Sequence, residues 1–381
     1  MRFRDLGPVL AVMIVCLAVC GGQDAAALAQ SGAPAVRVIQ APSARRGSFV
    51  SLVPACACAA HTELQQFSIA SGRRLRRLDA VLTAGLNLAT PSAQANGRLL
   101  LTFTSGPRCA LSGVFAECPT VAPDSCVNRV ESLTPGRGGL AELFAEPGSV
   151  LIGEVVPNRS GSRVVFSQTP CTRQHGLSGL YVRDLTSGRQ WPVMTRSNAC
   201  DGFGPAAFNR PATMLVFPFD AATGPAGRGP DGTVAGCPNS RSRLAIAALV
   251  GSGAAPRVRL ISPYGGCGFA AAAFDSSSVL AVEGCRKGGP VGDNATNLGD
   301  AFLVRLTLAG RVTARIALKK GVEQALIAPE SRAHGLLITQ DQPANNGTPE
   351  DDWIWEYKNG RLRAIAHYHA NDAAQIIAIP R

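Results

Sequence analysis

Cysteine supplies most of the reactive chemistry in this sequence. Twelve stand among its 381 residues, and thiols can ligate metals, act as nucleophiles or pair as disulfides. Cys56-Ala57-Cys58-Ala59-Ala60-His61 places two thiols and an imidazole in one short loop, donors that suit zinc or copper. In an oxidising compartment the same thiols are consumed by disulfides, which is the expectation here. His367 and His369 would share one face of a strand, but they lack a third ligand and are expected at the surface. Asp293 and Asp300 in one loop, and Asp351 and Asp352 beside Glu350 in another, offer oxygen ligands to calcium. Neither spacing is that of an EF-hand loop. No cofactor is predicted, and calcium is the one these residues would allow.

The remaining chemical signatures are missing. No Gly-x-Ser-x-Gly sits at a strand-to-helix elbow, and no phosphate-loop or dinucleotide fingerprint is present. Trp191, Trp353 and Trp355 alternate with other residues in strand-like runs, which suits packing between sheets better than stacking on sugars. No catalytic residues are predicted.

The amino terminus sets the compartment. Arg2 and Arg4 precede an apolar run from Val9 to Val19, followed by small residues, which is the anatomy of a secretory signal. The expected signal peptide covers 1–29, ending at Ala27-Leu28-Ala29, with 30–34 as a short lead-in. The alternative is a lipoprotein signal ending before Cys20, the one expected route to a membrane. Ten cysteines follow the signal, an even number that reads as disulfides in an exported chain. The formal charge of +11 comes almost wholly from scattered or paired arginines. The expected reading is a solvated basic surface, and the functional alternative is attraction to anionic envelope polymers; no nucleic-acid reading motif is present.

The elements that position these residues are strands. With 41 glycines and 26 prolines, the chain breaks helices too often for a helical bundle. Pairs of apolar runs meet around short glycine turns six times: Ser71-Gly72-Arg73, Pro135-Gly136-Arg137, Ser187-Gly188-Arg189, Gly251-Ser252-Gly253, Ala309-Gly310-Arg311 and Asn359-Gly360-Arg361. Apolar runs flanking such turns mark β-hairpins. Each hairpin follows another extended run, such as Val164–Ser167 or Val279–Glu283, and several of these follow small-residue runs such as Gly204–Phe208 and Gly268–Phe274. The unit is four antiparallel strands, repeated six times, which predicts a single six-bladed β-propeller over 35–381.

Residues 155–194 carry a family resemblance. Val164-Val165-Phe166-Ser167 and Leu180-Tyr181-Val182-Arg183-Asp184-Leu185 resemble a blade of the TolB-like (WD40-like) propellers, with Asn158-Arg159-Ser160-Gly161 in place of the usual turn. That resemblance implies the fold and leaves function open. The last run, Gln375–Pro380, is expected to complete the first blade and fasten the ring. Val36–Pro42 is the alternative for that slot.

Sorted on this plan, all ten cysteines fall on one face, in second-to-third-strand loops or blade-to-blade connections. The propeller is thus expected to be disulfide-stapled on that face. Cys267 enters an innermost strand and Cys285 leaves its neighbour, so those two are expected to pair; Cys200 and Cys237 occupy related places one blade earlier. The expected function is an exported, non-enzymatic binding or scaffold propeller, recognising a protein or an anionic cell-envelope polymer through this cysteine-rich face. The alternative is a propeller hydrolase, lactonase-like or glycan-cleaving, with its site at the central channel.

Overall fold

The computed structural model describes residues 48–378 apart from 55–60, 83–85, 106–109, 118–128, 134–140, 171–177, 229–233, 237–239, 250–255, 286–299, 319–323, 328–335, 343–350, 370–374 and a few residues taken singly or in pairs. The described residues are all strand, turn or extended connection, with no helix among them. The expected signal region and Val36–Pro42 lie outside them.

Among the described residues, six larger antiparallel sheets follow one another along the chain. The first orders its strands Gln375–Ala378, Ser48–Pro54, His61–Ser68 and Arg74–Leu82. The second holds Leu86–Ala95, Arg98–Ser105, Arg129–Leu133 and Ala141–Ala145. The third holds Val150–Pro157, Arg163–Pro170, Ser178–Asp184 and Gln190–Arg196. The fourth has Gly202–Phe203 and Ala207–Phe208 beside Met214–Ala222, then Ser240–Ala248 and Arg257–Ile261. The fifth holds Cys267–Asp275, Ser278–Cys285, Asp300–Thr307 and Val312–Ala317. The sixth holds Gln324–Ile327, Leu336–Gln342, Asp351–Lys358 and Arg361–His369.

The carboxyl-terminal strand does pair into the first sheet, with Val50 opposite Ala378 and Leu52 opposite Gln375. In the fourth sheet the expected run Gly204–Phe208 is strand only at Ala207–Phe208, with a second short strand, Gly202–Phe203, just before it. The cause is proline: Pro205 and Pro218 lack the N–H that a continuous ladder needs. Gly204 restores one bond by donating its N–H to the Pro218 carbonyl at 3.0 Å.

From the second to the sixth, consecutive sheets pack face to face, so their inner strands are apolar on both sides. Leu215, Phe217, Phe219, Ala245 and Ala247 of the fourth sheet meet Val156, Val165, Leu180 and Val182 of the third. Val216, Leu244 and Ile246 point the other way, onto Ala272, Phe274, Val279, Ala281 and Val304 of the fifth. Leu280, Val282 and Leu303 of the fifth then meet Ile338 and Tyr357 of the sixth. Alternation thus divides each strand between two cores. Ala271, Ala272 and Ala273 leave the innermost fifth-sheet strand narrow, and that strand contacts both neighbouring sheets. Trp191 and Trp355 pack against these cores.

Turn chemistry closes the hairpins. Asp184 accepts the Ser187 and Thr186 N–H groups at 2.9 and 3.0 Å. Those bonds, the Ser187 N–H foremost, hold its carboxyl below the usual carboxylate range. Asn359 and Gly360 both take positive φ, as a two-residue hairpin turn of the type I′ class requires. Gly310 combines φ of +89° with a close approach: a Cβ there would stand 2.9 Å from Ile261 Cγ1. Gly188 has φ of +70° with open space around it. Gly310→Ala should therefore cost about 2–3 kcal/mol, backbone strain plus overpacking, against about 1 kcal/mol for Gly188→Ala. Denaturant unfolding of the two variants checks this, and equal losses would exclude the Ile261 contact as the cause.

Candidate functional site

Chemistry-bearing side chains converge at the end of the fifth sheet where its innermost strand begins. Cys267 and Cys285 stand directly opposite in the antiparallel register and are joined by a disulfide. Register alone brings their Cα atoms to 4.2 Å. The bridge closes a sequence separation of 18, which in the chain-entropy account stabilises by about 3 kcal/mol.

Glu283 lies two residues before Cys285 and is 2% exposed. It belongs to the alternation Val279, Ala281, Glu283, the face of this strand turned towards the fourth sheet. A carboxylate buried there needs partners. Glu283 Oε1 accepts the Tyr264 backbone N–H at 2.8 Å. Its Oε2 lies 2.9 Å from Arg315 Nη2. That contact is an ion pair rather than an aligned hydrogen bond, since Oε2 takes no hydrogen bond and Nη2 donates to Cys285 Sγ at 3.3 Å.

Arg315 reaches this point from the outermost strand of the sheet. Its guanidinium lies 3.8 Å from the Phe302 ring centroid and 5.3 Å from that of Tyr264. One side of the arginine thus faces the disulfide and carboxylate, while aromatic rings flank it. Tyr264, in the connection from the fourth sheet, is 73% exposed although its backbone is tied to a buried carboxylate. The arrangement is a rigid base beneath an exposed aromatic ring.

Cys267, Glu283 and Cys285 are also the one group of metal-capable side chains among the described residues. With both thiols joined, a carboxylate already paired with Arg315 remains, so the group is no metal site in this state. Cys200 is disulfide-bonded as well, to a partner outside the described residues. Cys237 and Asp293 lie outside them too, as do Cys56, Cys58 and the other loop cysteines. Asp300 opens the third strand of the fifth sheet, opposite Cys285. Asp351 and Asp352 open the third strand of the sixth, opposite Gln342 and Asp341. The calcium candidates therefore occupy equivalent ends of neighbouring sheets. Sequence reasoning overlooked Tyr264, Glu283, Phe302 and Arg315. The signal for one of them was available: Glu283 interrupts an otherwise apolar run, Ser278-Val279-Leu280-Ala281-Val282.

No protein-family model matches the chain, and no curated protein matches it either. Its fold is similar to solved β-propellers at low identity. An oligogalacturonate lyase in complex with manganese is 14% identical, covering 84% of this chain and 74% of its own at a TM-score of 0.40. The periplasmic gluconolactonase of Pseudomonas aeruginosa is 11% identical, covering 87% of this chain and 100% of its own at 0.44. Prolyl oligopeptidase B from Galerina marginata is 10% identical, covering 87% and 53% at 0.39.

Arg315→Leu would leave Glu283 buried without its countercharge. Because the Arg315 side chain is 31% exposed, the expected cost is about 2–3 kcal/mol, below that of a fully buried pair. Adding Glu283→Gln to that variant should recover about 1 kcal/mol, because a neutral amide still accepts the Tyr264 N–H. A double-mutant cycle by chemical denaturation checks this; strictly additive losses would show that the two residues do not interact.

Proposed function

We propose that the chain is an exported six-bladed β-propeller whose cysteine-bearing face binds a protein or an envelope polymer. Six sheets of common strand order, packed in succession and joined at the ends by the Gln375–Ala378 strand, support the blade count. A disulfide suits an oxidising compartment. The observation that carries the binding reading is Tyr264, exposed but held at its backbone by Glu283 and flanked by Arg315. An aromatic side chain on a fixed base contributes contact area with little ordering cost, as binding hot spots do. It lies at the same end as the long second-to-third-strand connections, where a partner would meet several loops together.

The enzymatic names above are properties of those proteins, and similarity at that level carries no activity to this one. The hydrolase reading, with residues gathered at the channel mouth, is addressed by the same experiment.

Protein from residue 30 onward, wild type and Tyr264→Ser, would be cross-linked to envelope and secreted fractions and washed at low and physiological salt. The expected result is a discrete partner that survives physiological salt and is lost at least 10-fold in Tyr264→Ser, the scale of a hot-spot truncation. Capture that disappears with salt, or that ignores Tyr264, would overturn the reading. Turnover of lactones or glycans by the same protein would then favour the hydrolase.

A further inference from the structure

The hairpins joining third and fourth strands carry a second pattern, at the opposite end from the cysteines. An exposed arginine stands at the entry to the outermost strand of five of the six sheets: Arg73, Arg189, Arg257, Arg311 and Arg361. In the second sheet the sequence offers Arg137, which lies outside the described residues. Three of the five close their hairpins with the same backbone bond. Ser68 donates to the Arg73 carbonyl, Asp184 to that of Arg189 and Thr307 to that of Arg311, each at 2.9 Å. Similar backbone positions give these three side chains similar starting points on the first, third and fifth sheets.

Their charge is not compensated locally. Two of the described carboxylates at this end are held by other arginines: Asp184 by Arg163 at 3.6 Å and Asp275 by Arg305 at 3.2 Å. No described carboxylate pairs with Arg73, Arg189, Arg257, Arg311 or Arg361. Apolar side chains accompany the arginines. Leu75 is 48% exposed near Arg73, and Val312 is 50% exposed directly after Arg311. A soluble polyanion gains nothing from those two side chains, whereas the boundary between headgroups and acyl chains accepts both arginine and apolar groups.

We propose that this end of the molecule rests on an anionic lipid surface, through its ring of hairpin arginines with Leu75 and Val312 at the boundary. The inference depends on the six-bladed reading for the common direction of the turns, and it leaves the cysteine-bearing face pointing away from the bilayer. It is independent of Tyr264, so vesicle binding and partner capture can fail separately.

The test is cosedimentation of the chain from residue 30 with vesicles of phosphatidylcholine, alone or mixed with phosphatidylglycerol. Binding is expected only to the anionic vesicles, and it should weaken as salt screens the charge. Arg311→Gln/Arg361→Gln should lower partitioning about 25-fold, at about fivefold for each arginine. The control Arg129→Gln/Arg241→Gln removes the same charge from the cysteine-bearing end and should change it less than about twofold. Leu75→Ser/Val312→Ser should weaken binding with the salt dependence unchanged. Equal losses in the two arginine pairs, absence of binding to anionic vesicles, or displacement by inorganic polyphosphate at matched phosphate would each overturn the proposal.

Discussion

A sheet packed between two others has both faces buried, so its inner strands can carry few polar groups. That constraint governs the distribution of chemistry in this chain. Val216 and Phe217 are adjacent in sequence and both fully buried, because one faces the fifth sheet and the other the third. Function is left with the strand ends, the connections and the outermost strands. The disulfide and Tyr264 occupy one end, and the hairpin arginines occupy the other.

Glu131, Glu283 and Glu356 are the carboxylates buried among the described residues, and Glu283 shows what such burial requires. At the sheet end its carboxylate takes both a backbone N–H and a guanidinium. Its partners come from a connection and from an outermost strand, so three separate parts of the chain are fixed relative to one another. The Cys267–Cys285 bridge fixes the same corner covalently. Arginine suits the position because its planar guanidinium can face an anion and stack on a ring such as Phe302 together.

The strands were legible in the sequence because glycine turns and apolar runs are local signals. Val164–Ser167 and Val279–Glu283 fall within observed strands, and the arms of the six hairpins match paired strands to within a residue at their ends, although the turns 135–137 and 251–253 lie outside the described residues. The placement of Cys267 beside Cys285 was legible too, since antiparallel register follows from a short turn. Leu86–Ala95 and Val150–Pro157 were not singled out: each contains polar or small residues that blur the apolar pattern. The site around Tyr264 was hidden for a different reason. Residues 264, 283, 302 and 315 meet across three strands of the fifth sheet and the connection that enters it, and no local spacing encodes that meeting. The TolB-like resemblance of 155–194 pointed to the architecture, and no family match extends it to an activity.

Hydrogen exchange at the Tyr264 amide tests the central claim most directly. Tyr264 is exposed, yet its N–H is bonded to the buried Glu283 carboxylate. The account predicts exchange as slow as that of the adjoining strand amides, with protection lost in Arg315→Leu as the Glu283 corner loosens. Exchange at the rate of an open loop in the wild-type protein would contradict it, since the aromatic ring would then have no fixed base from which to bind.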